Sequence, residues 1–184
     1  GNNITGITAT ALSTNTALVY SGAGNDSLAV FDNNTFTNGS YGIYFYGIGS
    51  SSLENKTSII NNTFNNQYGR SINLYYQNAP TVSGNIINGH ATNNAFYGIY
   101  AGYCDNDIKI LKNKITIPLG TYGIYLYYCD GTMVKKGLIA NNFVQLGGTI
   151  VTYGIYNSSS TYQEYFYNSV NITSTNTTAR DFFI

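Results

Sequence analysis

Acidic and thiol side chains recur in this sequence at an interval of 25 residues. Cys104-Asp105 and Cys129-Asp130 are the two copies, and Asp107 follows the first of them. Carboxylates brought together in this way could hold a calcium ion, which takes six to eight oxygen ligands. Aspartates are also common in turns, where they bend and cap the chain. We favour turn aspartates and keep calcium at Asp105, Asp107 and Asp130 as the weaker alternative.

The two cysteines could also react with each other. Each lies five residues after the isoleucine of a repeated YGIY phrase, so Cys104 and Cys129 share one column if the phrases stack. Stacked strands are about 5 Å apart, which is within the Cα–Cα range of a disulfide. A secreted protein could oxidise the pair, and the alternative is a buried pair of small apolar residues. The sequence leaves both alternatives open.

Catalytic chemistry has little support in the sequence. A glycosidase with paired carboxylates needs two acids about 5 to 9 Å apart, one with a pKa raised by burial, and nothing marks an aspartate as buried. His90 is the single imidazole and lies in the loop NGHATNN, without an acid in register. The sequence has no G-x-S-x-G nucleophile elbow, P-loop, G-x-G-x-x-G or zinc-ligand spacing. We therefore predict no catalytic residue.

Tyrosine supplies the main candidate for a binding surface. If the isoleucine of YGIY points inward, strand alternation turns the following tyrosine outward. The predicted aromatic face consists of Tyr44, Tyr46, Tyr75, Tyr100, Tyr125, Tyr127 and Tyr156. Aromatic surfaces bind sugars by stacking and are enriched in protein contacts, although tyrosine ladders also stabilise exposed strands. The face predicts sugar binding, packing against another subunit, or only a stable sheet.

A repeat of about 27 residues must position these side chains. The frame apolar-x-x-Asn-x-apolar occurs six times, and its asparagines are Asn34, Asn62, Asn85, Asn113, Asn141 and Asn168. Asparagine tolerates the left-handed conformation that a bend needs, and stacked amides can form a hydrogen-bonded ladder. Between these bends the apolar residues alternate with a period of two and show no helical spacing. Short strands repeated at a fixed interval predict an all-β solenoid rather than a sandwich.

The turns NNTF, GNIIN and YNSVNI and the GIY strands resemble the right-handed parallel β-helix, or pectin-lyase-like, repeats of secreted bacterial proteins. The resemblance covers residues 2–184 and implies a parallel β-helix of six to seven coils. That family includes polysaccharide lyases and hydrolases, phage tailspikes and adhesins, so the resemblance implies the fold and not an activity. The stretch YFYNSVNITS also resembles β-helical parts of surface proteins exported by type IX secretion.

Composition limits the expected partners. The 184 residues carry 8 basic and 8 acidic side chains, and 43% of them are hydrophobic, which indicates one folded domain over residues 1–184. Zero net charge without a basic run disfavours nucleic acid and anionic membranes. No apolar stretch is long enough to span a bilayer. The expected partners are adjoining coils of the same protein or neighbouring subunits, with glycans as a further candidate.

We predict a non-catalytic structural or adhesive β-helix module of a secreted or cell-surface protein, without a cofactor. One alternative is a polysaccharide-binding or depolymerising domain that uses the tyrosines. The other is a subunit of an extracellular filament, stacked end to end. The chain starts almost on an asparagine turn and shows no capping segment, so we expect it to be a segment of a longer solenoid or a subunit whose neighbours cover its ends.

Overall fold

The computed structural model of the chain describes residues 1–24 and 26–184, and almost all of its regular structure is β-strand. Each full coil contributes one strand to each of three sheets, and equivalent strands of neighbouring coils pair in parallel. A single turn of 3₁₀-helix spans Thr14–Thr16. Within the described residues, no helix has the length and apolarity to cross a membrane. The structure confirms the predicted parallel β-solenoid, with about six coils about 27 residues apart.

The three sheets follow one another in each coil. The tyrosine sheet, named for its outward side chains, contains β2 (Ala17–Gly24), β5 (Tyr41–Gly47), β9 (Arg70–Asn78), β12 (Tyr97–Asp105), β15 (Tyr122–Tyr127), β18 (Tyr153–Ser158) and β21 (Arg180–Phe183), with β6 (Glu54–Asn55) paired to β9. The second sheet contains β3 (Val30–Asp32), β7 (Ser58–Ile60), β10 (Thr81–Ser83), β13 (Lys109–Leu111), β16 (Gly137–Ala140) and β19 (Gln163–Phe166). The third sheet contains β1 (Asn3–Thr5), β4 (Thr35–Thr37), β8 (Thr63–Asn65), β11 (Ile86–Asn88), β14 (Lys114–Ile117), β17 (Phe143–Leu146) and β20 (Ser169–Ile172).

Apolar columns fill the space between the sheets. The isoleucine of YGIY stacks on its equivalents in register, and this fully buried column contains Ile43, Ile72, Ile99, Ile124 and Ile155. In the third sheet, the rings of Phe36 and Phe64 stack with their centroids 4.9 Å apart. Burial of one such side chain stabilises the fold by about 1.5 to 3 kcal/mol. The repeated apolar positions therefore fix the register of all coils.

A ladder of asparagine side chains runs along the bend between the second and third sheets. Each ladder Oδ1 accepts hydrogen bonds from both the backbone nitrogen and the Nδ2 of the ladder asparagine in the preceding coil, at 2.8 to 3.2 Å. The members are Asn34, Asn62, Asn85, Asn113, Asn142 and Asn168, and Asn2 makes the same two hydrogen bonds to Asn34 Oδ1. The bend is held by side chains that replace the strand hydrogen bonds missing there.

The structure corrects the predicted ladder at one position, since Asn142 and not Asn141 is the member. The residue before each ladder asparagine takes the left-handed conformation, and Asn141 occupies that position with φ of 57°. The pair Asn141-Asn142 fits the frame in two registers, but Ile139 and Val144 are the fully buried flanking residues. The residue with the left-handed conformation and the asparagine that joins the ladder are thus neighbours in sequence, whereas we expected one asparagine to occupy both positions.

The glycine of YGIY is required by the close approach of neighbouring coils. A Cβ on any of these glycines would lie 2.6 Å from a carbonyl oxygen of the following coil. The four positions are Gly42, Gly98, Gly123 and Gly154. Such a distance is too short for a side-chain carbon, so each of these strands needs a residue without one.

Candidate functional site

The predicted tyrosines all lie on the outer face of the tyrosine sheet and form two columns. One column runs in register through Tyr20, Tyr44, Asn73, Tyr100, Tyr125, Tyr156 and Phe183. The other runs through Gly22, Tyr46, Tyr75, Gly102, Tyr127 and Ser158. We call this surface the tyrosine face. Its side chains are held by paired strands, so their spacing is set by the sheet rather than by loops.

A third column on the tyrosine face was missed by sequence reasoning. It consists of Tyr41, Arg70, Tyr97, Tyr122, Tyr153 and Arg180, most of them the first tyrosine of YGIY. Strict alternation would put Tyr41 on the same side as Ile43, yet its ring packs against the ring of Tyr44 with centroids 4.9 Å apart. Alternation is therefore broken at the intervening glycine, Gly42.

Tyrosines at the end of these strands add a fourth column, which was also not predicted. Tyr76, Tyr103 and Tyr128 have φ values of 55°, 51° and 48°. Their rings stack, with centroids 5.2 Å apart between Tyr76 and Tyr103 and 5.5 Å apart between Tyr103 and Tyr128. A positive φ is uncommon for a bulky aromatic residue. The sequence contains the pair YY at two of these sites, Tyr75-Tyr76 and Tyr127-Tyr128. This repeated pair could have suggested that the second tyrosines stack in successive coils.

Ring packing determines which atoms the tyrosine face presents to solvent. Tyr20 stacks on Tyr44 at 5.4 Å, and Tyr122 stacks on Tyr153 at 5.4 Å. Stacked rings cover each other's flat faces, so much of the exposed surface consists of ring edges and hydroxyl groups. Burial raises the pKa of Tyr122, and burial followed by the hydrogen bond to Tyr75 raises the pKa of Tyr100. These phenols stay neutral and can donate hydrogen bonds.

A shallow cavity lies on the tyrosine face at its first coils. The cavity has a volume of about 220 Å³ and is lined by Tyr20, Gly22, Ala23, Tyr44 and Tyr46. Gly22 lies at the position where the following coils carry Tyr46 and Tyr75, and the Tyr20 hydroxyl lies over the Gly22 backbone. The volume of the cavity is below the roughly 300 to 1,000 Å³ of ordinary small-molecule pockets. The site is accordingly an extended, nearly flat surface.

A lone guanidinium lies in the middle of the tyrosine face. The Arg70 guanidinium carbon lies 4.8 Å from the ring centroid of Tyr97 and 4.4 Å from that of Tyr100. Arg70 Nη1 also donates a hydrogen bond to Asn73 Oδ1. Both ion pairs found among the described residues involve lysines, Lys109 with Asp107 and Lys136 with Glu164.

The carboxylates considered for calcium are engaged in local contacts. Asp105 Oδ1 accepts a hydrogen bond from the backbone nitrogen of Asp130 at 2.9 Å, and Asp130 Oδ1 accepts from both the nitrogen and the hydroxyl of Thr161. Asp107 pairs instead with Lys109 at 2.9 Å. Burial raises the pKa of Asp105. The structure brings Asp105 and Asp130 together in neighbouring turns that are joined by these hydrogen bonds, and we call this arrangement the turn ladder. Asp107 is not part of it, because it pairs with Lys109.

The cysteines stack without forming a disulfide. Cys104 and Cys129 are both free and fully buried, and the backbone nitrogen of Cys104 donates to Cys129 Sγ at 3.4 Å. Burial is the largest cause of the raised pKa of the Cys104 thiol. The structure therefore has the buried apolar pair, which was one of the two alternatives that the sequence left open.

Other ligand-forming side chains are dispersed. His90 Nδ1 accepts hydrogen bonds from the backbone nitrogens of Thr92 and Asn93 at 3.2 and 3.1 Å, and burial lowers its pKa. Met133 is 78% exposed in the loop before β16. Across residues 1–24 and 26–184, no group of three or more histidine, cysteine, aspartate or glutamate side chains could hold a metal ion.

Comparison with known proteins gives one family. No curated protein matches the chain, and no solved structure matches it. The family model described as periplasmic copper-binding protein (NosD) matches residues 1–182, which is almost the full 184 residues. The extent of this match, together with the parallel β-solenoid, shows that the chain belongs to the NosD family.

Proposed function

We propose that this chain is a non-catalytic β-helix module that binds glycans through its tyrosine face. The observation that carries the proposal is the tyrosine face itself, three columns of in-register side chains on one flat sheet. Its ring edges can contact the apolar faces of sugar rings, and its neutral hydroxyls can donate and accept hydrogen bonds with sugar hydroxyls. A flat surface suits a long polymer better than a small molecule.

The adhesive role is favoured over depolymerisation by the state of the carboxylates. Asp105 and Asp130 are held in the turn ladder, and Asp107 is paired with Lys109. A glycosidase needs one free acid and one free base on either side of the scissile bond. Asp105 ends strand β12 outside the columns of the tyrosine face, and Asp107 and Asp130 lie in links to the second sheet.

Membership of a family described as periplasmic supports a location outside the cytoplasm. The copper named in that description does not fit the residues of this chain. Copper favours thiolate, thioether and imidazole ligands, but the Cys104 thiol is kept protonated by burial and the side chains of His90 and Met133 lie in separate loops. No step of the proposed function therefore uses copper.

Binding of the purified chain to a panel of immobilised neutral and acidic oligosaccharides tests the proposal. Tyr44→Ala and Tyr46→Ala each remove a ring from the cavity wall and should weaken binding by about two- to tenfold, as expected for an aromatic contact of about 0.5 to 1.5 kcal/mol. Tyr167→Asn is the matched control, because Tyr167 is 86% exposed outside the tyrosine sheet and its φ of 52° suits asparagine.

Two results would contradict the proposal. One is the absence of binding to every oligosaccharide of the panel by the folded chain. The other is equal loss of binding in Tyr44→Ala and Tyr167→Asn. Release of new reducing ends from a bound polysaccharide would show depolymerisation and would replace the adhesive role by the enzymatic one.

A further inference from the structure

We infer that Arg70 and Asn73 form a carboxylate-binding subsite within the tyrosine face, so that the preferred ligand is an acidic glycan. This inference rests on the proposed glycan binding and specifies its ligand class. Arg70 occupies the column of Tyr41 and Tyr97, where its guanidinium has a tyrosine on either side. The remaining arginine of the chain, Arg180, lies in the same column four coils away, at the end of the sheet.

The guanidinium is held in place by its surroundings but has unused donors. It lies over the rings of Tyr97 and Tyr100, and cation–π contacts of this kind favour a fixed orientation. Within the described residues, its side-chain hydrogen bond goes to Asn73 Oδ1. A guanidinium has five N–H donors in a planar fork, which matches the two oxygens of a carboxylate. Several donors of Arg70 are therefore free to bind a ligand.

Asn73 provides a second and independent sign of a missing partner. It stands in register between Tyr44 and Tyr100, where other coils carry a tyrosine, and its side chain is fully buried. Its Oδ1 accepts from Arg70, while its Nδ2 has no hydrogen-bond partner among the residues that the structure describes. A buried donor without a partner costs about 1 to 3 kcal/mol. A ligand oxygen seated beside the guanidinium would remove that cost.

The surroundings indicate which anion this subsite accepts. Burial raises the pKa of Tyr41 and of Tyr100, so the neighbouring phenols are neutral and Arg70 contributes a single positive charge. A polyphosphate ligand would require several cations, whereas one planar fork fits one carboxylate. The half-buried ring of Tyr97, over which the guanidinium lies, can contact the sugar that bears the carboxylate. We therefore assign the subsite to a uronic acid unit within a glycan.

The test compares a uronic acid oligomer with its carboxyl-reduced counterpart, using the full chain and isothermal titration calorimetry. We expect the acidic oligomer to bind at least about tenfold more tightly, in line with charged hydrogen bonds of about 1.5 to 3 kcal/mol. Arg70→Gln should abolish this preference by lowering the affinity for the acidic oligomer to that for the reduced oligomer. Arg180→Gln is the matched control and should retain the preference, because Arg180 Nη1 bonds to the carbonyl of Ala179 and lies at the exposed end of the sheet.

A second variant keeps the inference testable if Arg70→Gln does not fold. Asn73→Asp places a carboxylate beside Arg70, so it should fold with an internal ion pair and lose the preference for the acidic oligomer. Equal binding of the acidic and reduced oligomers to the unmodified chain would overturn the subsite while leaving the proposed function in place. Binding to neither oligomer nor to any other glycan would overturn the proposed function. Tighter binding of a peptide carboxylate than of the uronic acid oligomer would overturn the ligand class.

Discussion

At the scale of single residues, Asn113 shows how one side chain links three coils. Its Oδ1 accepts from the backbone nitrogen and Nδ2 of Asn85 at 3.0 and 2.9 Å. Its own backbone nitrogen and Nδ2 donate to Asn142 Oδ1, both at 3.0 Å, and Nδ2 also donates to the Val82 carbonyl at 3.0 Å. Because buried polar groups need partners, each ladder asparagine stabilises the bends on both sides of it.

Asn113→Ala should lower the free energy of unfolding by about 3 kcal/mol or more, because it leaves several buried groups on Asn85, Asn142 and Val82 without partners. Urea denaturation followed by circular dichroism measures the change. Asn141→Gly is the control, since the exposed left-handed position tolerates glycine and should change stability by less than about 1 kcal/mol. Similar losses for the two variants would show that Asn113 has no special role.

The buried thiols give a second prediction at this scale. Cys104 and Cys129 should react very slowly with a thiol reagent in the native chain, because burial both excludes the reagent and raises the pKa of Cys104. When the chain is denatured without reductant and titrated with the same reagent, two free thiols per chain should react. Titration with none would show that the pair oxidises to a disulfide.

At the scale of elements, the sequence predicts the columns that obey strand alternation and misses those that do not. Ile43 and Tyr44 follow a period of two, so the core column and the outward column could both be read from the repeat. Tyr41 departs from it because the alternation is broken at Gly42 within β5, and Tyr76 departs from it because it has a positive φ within β9. The unpaired donor of Asn73 depends on the placement of neighbouring side chains, which no repeat pattern contains.

The close contact between neighbouring strands predicts that replacing the glycine of YGIY lowers the stability of the chain. Gly98→Ala should destabilise the chain by about 1 to 3 kcal/mol, because its Cβ would lie 2.6 Å from the Gly123 carbonyl oxygen and the strands would have to separate. Gly49→Ala serves as the control, since a Cβ there would meet nothing within 4 Å. Thermal denaturation of both variants measures the difference, and equal melting temperatures would contradict the explanation.

At the scale of the whole molecule, the packed tyrosines link stability to alkaline pH. Burial raises the pKa of Tyr41, Tyr44, Tyr100, Tyr122 and Tyr125 above the ordinary value near 10. A group whose pKa is raised by folding binds its proton more tightly in the folded state. The stability that the raised pKa contributes is fully present when the pH is below the pKa of tyrosine in the unfolded chain. It is lost as the pH rises through the pKa of tyrosine in the folded chain.

We therefore expect part of the 19 tyrosines to ionise only when the chain unfolds above about pH 10. Phenolate absorbance and circular dichroism, recorded through one alkaline titration, should show that this fraction appears together with the loss of β structure. Complete ionisation while the circular dichroism signal stays native would contradict the link between burial and stability. Refolding on return to neutral pH controls for chemical damage.

At the corner between the tyrosine sheet and the second sheet, the coils differ in length while their strands keep the same register. The link from the tyrosine sheet to the second sheet has two residues, 79–80, after β9 but nine residues, 128–136, after β15. The strands on either side of the longer link still pair with those of neighbouring coils. This corner can accept or lose chain length without moving any ring of the tyrosine face. The molecule thus offers an insertion point, at residues 131–136, where a foreign peptide could be grafted onto the scaffold while its binding surface is preserved.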